Sequence, residues 1–169
     1  MSKEEFYQFY QQNIDSIFRF FYFRVNSSET ARDLSAEAFL KFFQATEKNN
    51  SIKNPRAFLF QISRHLLVDF YRQRKPVVSL DELQEKGLEV AEESFLEGLE
   101  KDEDLKTIQK ALTKIRPLYS EVIIFYYFDN LPLKEIALIL NKKENNIRVL
   151  LHRAMKALKE EVEKEEHLS

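Results

Sequence analysis

The sequence predicts an all-α protein built as two small helical domains, and three observations carry that expectation. Only two Gly and four Pro occur in 169 residues, so the residues that β-hairpins require at their turns are almost absent. Apolar residues recur at three- and four-residue spacings over most of the chain, which is the period of one face of a helix and not of a strand. The exception is an acidic stretch beginning Pro76-Val77-Val78 that contains both glycines. It reads as a tether spanning 76–104 between domains at 1–75 and 105–169.

In chain order, Phe6, Tyr10, Ile14, Ile17, Phe18, Phe21 and Val25 share one helical face and predict a long first helix. The polar break Asn26-Ser27-Ser28 offers N-caps, with Glu29 in the following turn, and Ala31, Leu34, Ala38, Phe42 and Ala45 predict a second helix. After the polar stretch 47–53, Asn54 supplies a cap and Pro55 is preorganised for the first helical position. Phe58, Ile62, Leu66 and Phe70 then mark the inner face of a third helix, whose end carries Arg72, Arg74 and Lys75 and is stopped by Pro76. Beyond the tether, Leu105, Ile108, Leu112 and Ile115 give one helix, and Leu118, Val122 and Phe125 another after Arg116-Pro117. Asp129-Asn130 breaks the chain. A short helix near 133–140 follows, then the turn Asn141-Lys142-Lys143, then a long helix from about Glu144 with Ile147, Leu151, Ala154 and Leu158 inward.

Several function classes are excluded early. The chain has no Cys, so disulfides and thiolate metal sites are ruled out. Its N-terminus, MSKEEFYQFY, is acidic where a signal peptide needs basic and then apolar residues, and no run is long enough to span a bilayer; a soluble cytoplasmic protein is expected. Without a Gly-rich phosphate loop or a paired His and carboxylate spacing, no catalytic residue, cofactor or metal is expected, and His65 and His152 have no ligand partner at metal spacing. The net charge of −2 conceals a pattern. Residues 1–75 carry 12 Lys and Arg against 8 Asp and Glu, the tether 2 against 11, and residues 105–169 carry 12 against 9. Two mildly basic helical segments thus flank one strongly acidic tether, and each is compatible with a nucleic-acid surface. Most of the aromatic residues of the first domain lie at core spacings; those on the polar side of the third helix or in the loop before it remain candidates for stacking on unpaired bases.

Two helices joined by so short a turn, the second longer and basic on one side, predict a helix-turn-helix. Asn141 suits the turn, because asparagine is the best non-glycine residue for a left-handed helix end. Asn145, Asn146, Arg148, Val149, His152 and Arg153 project from the first turns of the last helix, where a recognition helix meets base edges and phosphates. A plain helical hairpin is the alternative reading of this pattern.

Three stretches in order resemble the extracytoplasmic-function group of the sigma-70 family over nearly the whole chain apart from the tether. FRVNSSETARDLSAEAFLKFFQ is similar to the family's helix that binds core polymerase, with Asp33, Leu34, Glu37 and Phe39 at its motif positions. NPRAFLFQISRHLLVDFYRQRK resembles the helix that engages and opens the downstream (−10) promoter element, and the polar segment before it matches the loop that captures an extruded base. LPLKEIALILNKKENNIRVLLHRAMKAL is similar to the C-terminal helix-turn-helix, including Glu135-Ile136-Ala137 and His152-Arg153-Ala154. The resemblance implies a region 2-like domain followed by a region 4-like domain in a sigma factor that directs promoter recognition, strand opening and transcription initiation. On that reading Lys53, Arg56, Arg64, Arg72 and Arg74 hold the downstream element. Lys142, Lys143, Asn145, Asn146, Arg148, His152 and Arg153 meet the upstream (−35) element. The implied partners are core RNA polymerase and promoter DNA, with an anti-sigma partner left open and no membrane.

The departures from the family pattern are local. Ala36 stands where Gln is frequent, Asn141 replaces the usual Gly of the turn, and Lys143 replaces a capping Ser that would contribute about 1 kcal/mol. Val149 and Leu150 occupy positions where Ser and Arg are common. They keep open a second reading, a sigma-like helical interaction protein that occupies polymerase or a partner without reading DNA. A dimeric regulator using the charged C-terminal end is a third.

Overall fold

The structure, a computed structural model, describes residues 1–25, 27–49, 51–73 and 103–168. The chain divides into two compact units, Met1–Ala91 and Glu92–Ser169, and the described elements of both are helices. Asn26, Arg74, Lys75 and the expected tether, apart from Glu103 and Asp104, lie outside the described residues.

The first unit holds α1 (Lys3–Val25), α2 (Ser28–Lys48) and α3 (Pro55–Gln73). Each start has a local cause. At α1, the Ser2 hydroxyl accepts from the Glu5 N–H at 3.1 Å and the Glu5 carboxylate accepts from the Ser2 N–H at 2.8 Å, a reciprocal pair that satisfies two otherwise unpaired donors. Those bonds from Ser2 hold the Glu5 carboxyl below its ordinary pKa. Ser27 caps α2 by accepting from the Thr30 N–H at 3.3 Å, and Asn54 caps α3 by accepting from the Ala57 N–H at 3.0 Å, both within the expected polar breaks. The three helices pack pairwise around a phenylalanine core in which Phe20, Phe21, Phe42 and Phe60 are fully buried, each stabilising the unit by roughly 1.5–3 kcal/mol.

Two faces differ from the periodic expectation. Of the stripe drawn from Phe6 to Val25, Tyr10 is exposed and Phe6 and Ile14 are half-buried, while the buried arc of α1 takes in Phe20 and Phe23 off that stripe, because this helix is covered by both α2 and α3. On α3 the buried residues are Ala57, Leu59, Phe60, Ser63, Leu66 and Leu67, while Phe58, Ile62 and Phe70 are only half-buried. The inner face is therefore rotated by roughly a quarter turn from the Phe58–Ile62–Leu66–Phe70 line. Phe60 meets Phe20 of α1 at 6.1 Å and Phe58 meets Phe42 of α2 at 6.0 Å, so contact with two neighbours draws the buried arc sideways.

The second unit holds α4 (Glu103–Lys114), α5 (Pro117–Ile123) continuing into a π-helical turn (Ile124–Phe128), α6 (Leu133–Leu140) and α7 (Glu144–Leu168). α4 starts two residues inside the stretch read as tether, and the acidic Asp104 in its first turn suits the positive end of a helix. Helices α4, α5 and α6 all pack on α7. The Ser120 hydroxyl of α5 donates to the Leu112 carbonyl in the last turn of α4, where helical carbonyls lack partners of their own. Lys114 and Glu165 pair across α4 and α7, and the Glu165 carboxylate raises the lysine pKa. The α6–α7 junction has the expected turn. Asn141 adopts φ 53° and ψ 49°, the Lys142 N–H reaches the Ala137 carbonyl at 2.9 Å and the Asn141 N–H the Leu138 carbonyl at 3.4 Å. These two bonds satisfy two of the orphan carbonyls of α6 and aim the chain into α7.

Candidate functional site

The outward front of α7 is set by its buried back. Ile147 and Ala154 are completely buried and Leu158 nearly so. At about 100° per residue this places Val149 almost opposite the core line, between Asn145 and His152 on one side and Asn146 and Arg153 on the other. All five are exposed, as are Lys142 and Lys143 in the turn. The first turn is closed by the Lys143 carbonyl, which accepts from the N–H groups of Asn146 at 2.9 Å and Ile147 at 3.2 Å. Arg148 lies nearer one edge of this front. Its Nη1 donates to Asn145 Oδ1 at 3.1 Å and its Nη2 lies 3.4 Å from Glu144 Oε1, so the guanidinium is held along its own helix. Both members of the ion pair are about half exposed, and such a pair contributes at most about 1 kcal/mol. A nucleic acid can displace it. The arrangement presents two amides, two guanidiniums, an imidazole and two ammonium groups around one aliphatic side chain, a set suited to base edges in the middle and phosphates at the rim.

On α2 the residues expected at the polymerase surface separate into two groups. Asp33 and Glu37 are exposed, one helical turn apart, and Lys41 Nζ lies 3.8 Å from Glu37 Oε1. Leu34 and Phe39 point inward at 8% and 3% exposure, and Phe39 packs edge-on against Tyr10 and Phe9 of α1. Burial leaves them almost no surface to give a partner; they hold the exposed face in place from beneath. Beside that face lies a shallow apolar groove of about 400 Å³ between α1 and α2, where Leu40 is 55% exposed and is joined by Tyr10, Ala36 and Phe43. Sequence reasoning passed over Leu40, although an apolar residue two positions beyond a buried Ala38 and off the core spacing was a visible signal.

The cations expected at the downstream element are spread over a wide arc. Lys53 and Arg72 are exposed, Arg56 and Arg64 are half-buried and each already has an interaction, and Arg74 lies outside the described residues. Of the aromatic residues on this helix, Tyr71 is 49% exposed, but its hydroxyl is held by the Arg24 carbonyl of α1. Among the described residues, no group of three or more His, Cys, Asp or Glu is placed to hold a metal ion, and no helix is long and apolar enough to cross a membrane.

Comparison with known proteins divides the chain in the same order as the helices. The family model for sigma-70 region 2 matches residues 9–77, and that for sigma-70 region 4 matches residues 105–158. Three relatives from Bacillus subtilis align across both matches. The RNA polymerase sigma factor YlaC is 28% identical over 168 residues, covering 96% of this chain and 93% of the relative. The ECF RNA polymerase sigma factor SigM is 28% identical over 160 residues, covering 94% of each chain. The ECF RNA polymerase sigma factor SigW is 26% identical over 156 residues, covering 88% of this chain and 83% of the relative. With both regions present in order, and relatives that run through both, the chain belongs to the extracytoplasmic-function group of the sigma-70 family.

Proposed function

We infer that this chain is an RNA polymerase sigma factor, a regulatory subunit that binds core polymerase in the cytoplasm, brings it to promoters and assists strand opening. The carrying observation is the exposed front of α7, displayed by a left-handed Asn141 turn in a chain that also matches sigma-70 region 2. Asp33 and Glu37 would engage basic groups on the polymerase, with Leu34 and Phe39 keeping that helix face fixed. Lys53, Arg56, Arg64, Arg72 and Arg74 would offset the phosphate charge of the downstream element as its strands separate. Lys142 and Lys143 would position α7 on the upstream phosphates, while Asn145, Asn146, Arg148, His152 and Arg153 approach base edges. Run-off transcription with purified core polymerase tests the inference: transcripts from a defined start should require the added protein. Capture of core enzyme without promoter-dependent transcripts would instead favour a sigma-like protein that occupies polymerase without reading DNA.

A further inference from the structure

We propose that Val149 reads the 5-methyl group of a thymine in the upstream promoter element, making this aliphatic side chain a specificity determinant. The proposal rests on the reading of α7 as the helix that enters the major groove, and it deepens that reading by naming a base. Val149 is 50% exposed, at the centre of a helix front whose other members are polar or cationic. An isolated surface valine needs no explanation in general. Its position does, because the residues three and four away on both sides, Asn145, Asn146, His152 and Arg153, are the ones suited to base edges and phosphates. If they lie in the groove, Val149 lies deeper than any of them. There it has no hydrogen bond to offer, and the one apolar feature of the major-groove edge of a base pair is the thymine methyl. Burying that methyl against the isopropyl group removes apolar surface of both from water. Placing the valine against the exocyclic amine of cytosine would instead strip water from a donor without replacing its hydrogen bond. The side chain thus favours thymine and disfavours cytosine. Arg148, tied to Glu144 and Asn145 at the edge of the front, leaves this central position to Val149.

The test uses the full chain assembled with core polymerase. Upstream sequences are first selected from a randomised duplex, and each thymine of the preferred sequence is then replaced singly by uracil, which removes only the methyl. We expect one thymine at which uracil weakens binding by about fourfold, the scale of burying one methyl-sized group. At that position 5-methylcytosine should bind better than cytosine. Val149→Ser should bind the uracil duplex as the unsubstituted protein does while no longer distinguishing it from the thymine duplex. An upstream preference blind to every thymine methyl, or a Val149→Ser protein that keeps the distinction, overturns the contact alone. Failure of the holoenzyme to form, or selection of no upstream sequence, overturns the functional reading and the contact with it.

Discussion

Arg148 can give its guanidinium to Glu144 and Asn145 or to a base edge, but not fully to both. In the free protein the local partners hold it, and because that pair is exposed, giving it up for a guanine edge would cost at most about 1 kcal/mol. For Lys143 we propose a different task, since an ammonium group in the turn would meet phosphates whatever the base sequence. Two substitutions should therefore separate. Arg148→Ala is expected to lower discrimination among upstream sequences by about 1–3 kcal/mol. Lys143→Ala is expected to weaken all sequences alike and reduce the salt slope of binding by about one unit. Affinities on an upstream-sequence library at several salt concentrations check both, and equal behaviour of the two variants would remove the division of labour.

At the level of the helix, stability rests on ends as much as on faces. Asn54 satisfies the Ala57 N–H at the start of α3, and Pro55 beside it is already shaped for the first turn. Asn54→Ala should lower unfolding stability by about 1 kcal/mol, read as a shift of the urea midpoint at unchanged slope; an unmoved midpoint would mean that tertiary packing alone sets this boundary. Such ends were legible in the chain, because a cap acts within three residues of its own position. Ser27, Asn54 and the left-handed Asn141 all stand where the sequence places them. The faces were less legible. Which arc of α3 is buried depends on α1 and α2 together, and no periodicity within residues 55–73 contains that information.

For the whole molecule, the net charge of −2 is a poor guide, because the surfaces that matter are segregated. The exposed carboxylates Asp33 and Glu37 on α2 and the cationic front of α7 lie in separate units, so polymerase capture and upstream reading should be separable by mutation. Replacing both Asp33 and Glu37 by Lys should weaken capture of core enzyme by about tenfold or more, since reversed charges at an interface both lose attraction and add repulsion. Circular dichroism should show unchanged helix content, both residues being exposed. A folded double variant that binds core enzyme as before would count against this face.

The amino-acid sequence by itself determined the helical class, the order of the helices, the caps of α2 and α3 and the turn before α7, because each of these follows from spacing or chemistry within a few neighbouring residues. It also placed the polar front of α7, since a helix that buries Ile147, Ala154 and Leu158 must expose the residues opposite. Only the tertiary structure decided that Phe39 joins Leu34 in the core, that α1 is buried over more than one stripe, and that Arg148 rests on Glu144. Those outcomes depend on which helices meet and on how much of each side chain the meeting removes from water, quantities that arise between distant parts of the chain and not along it.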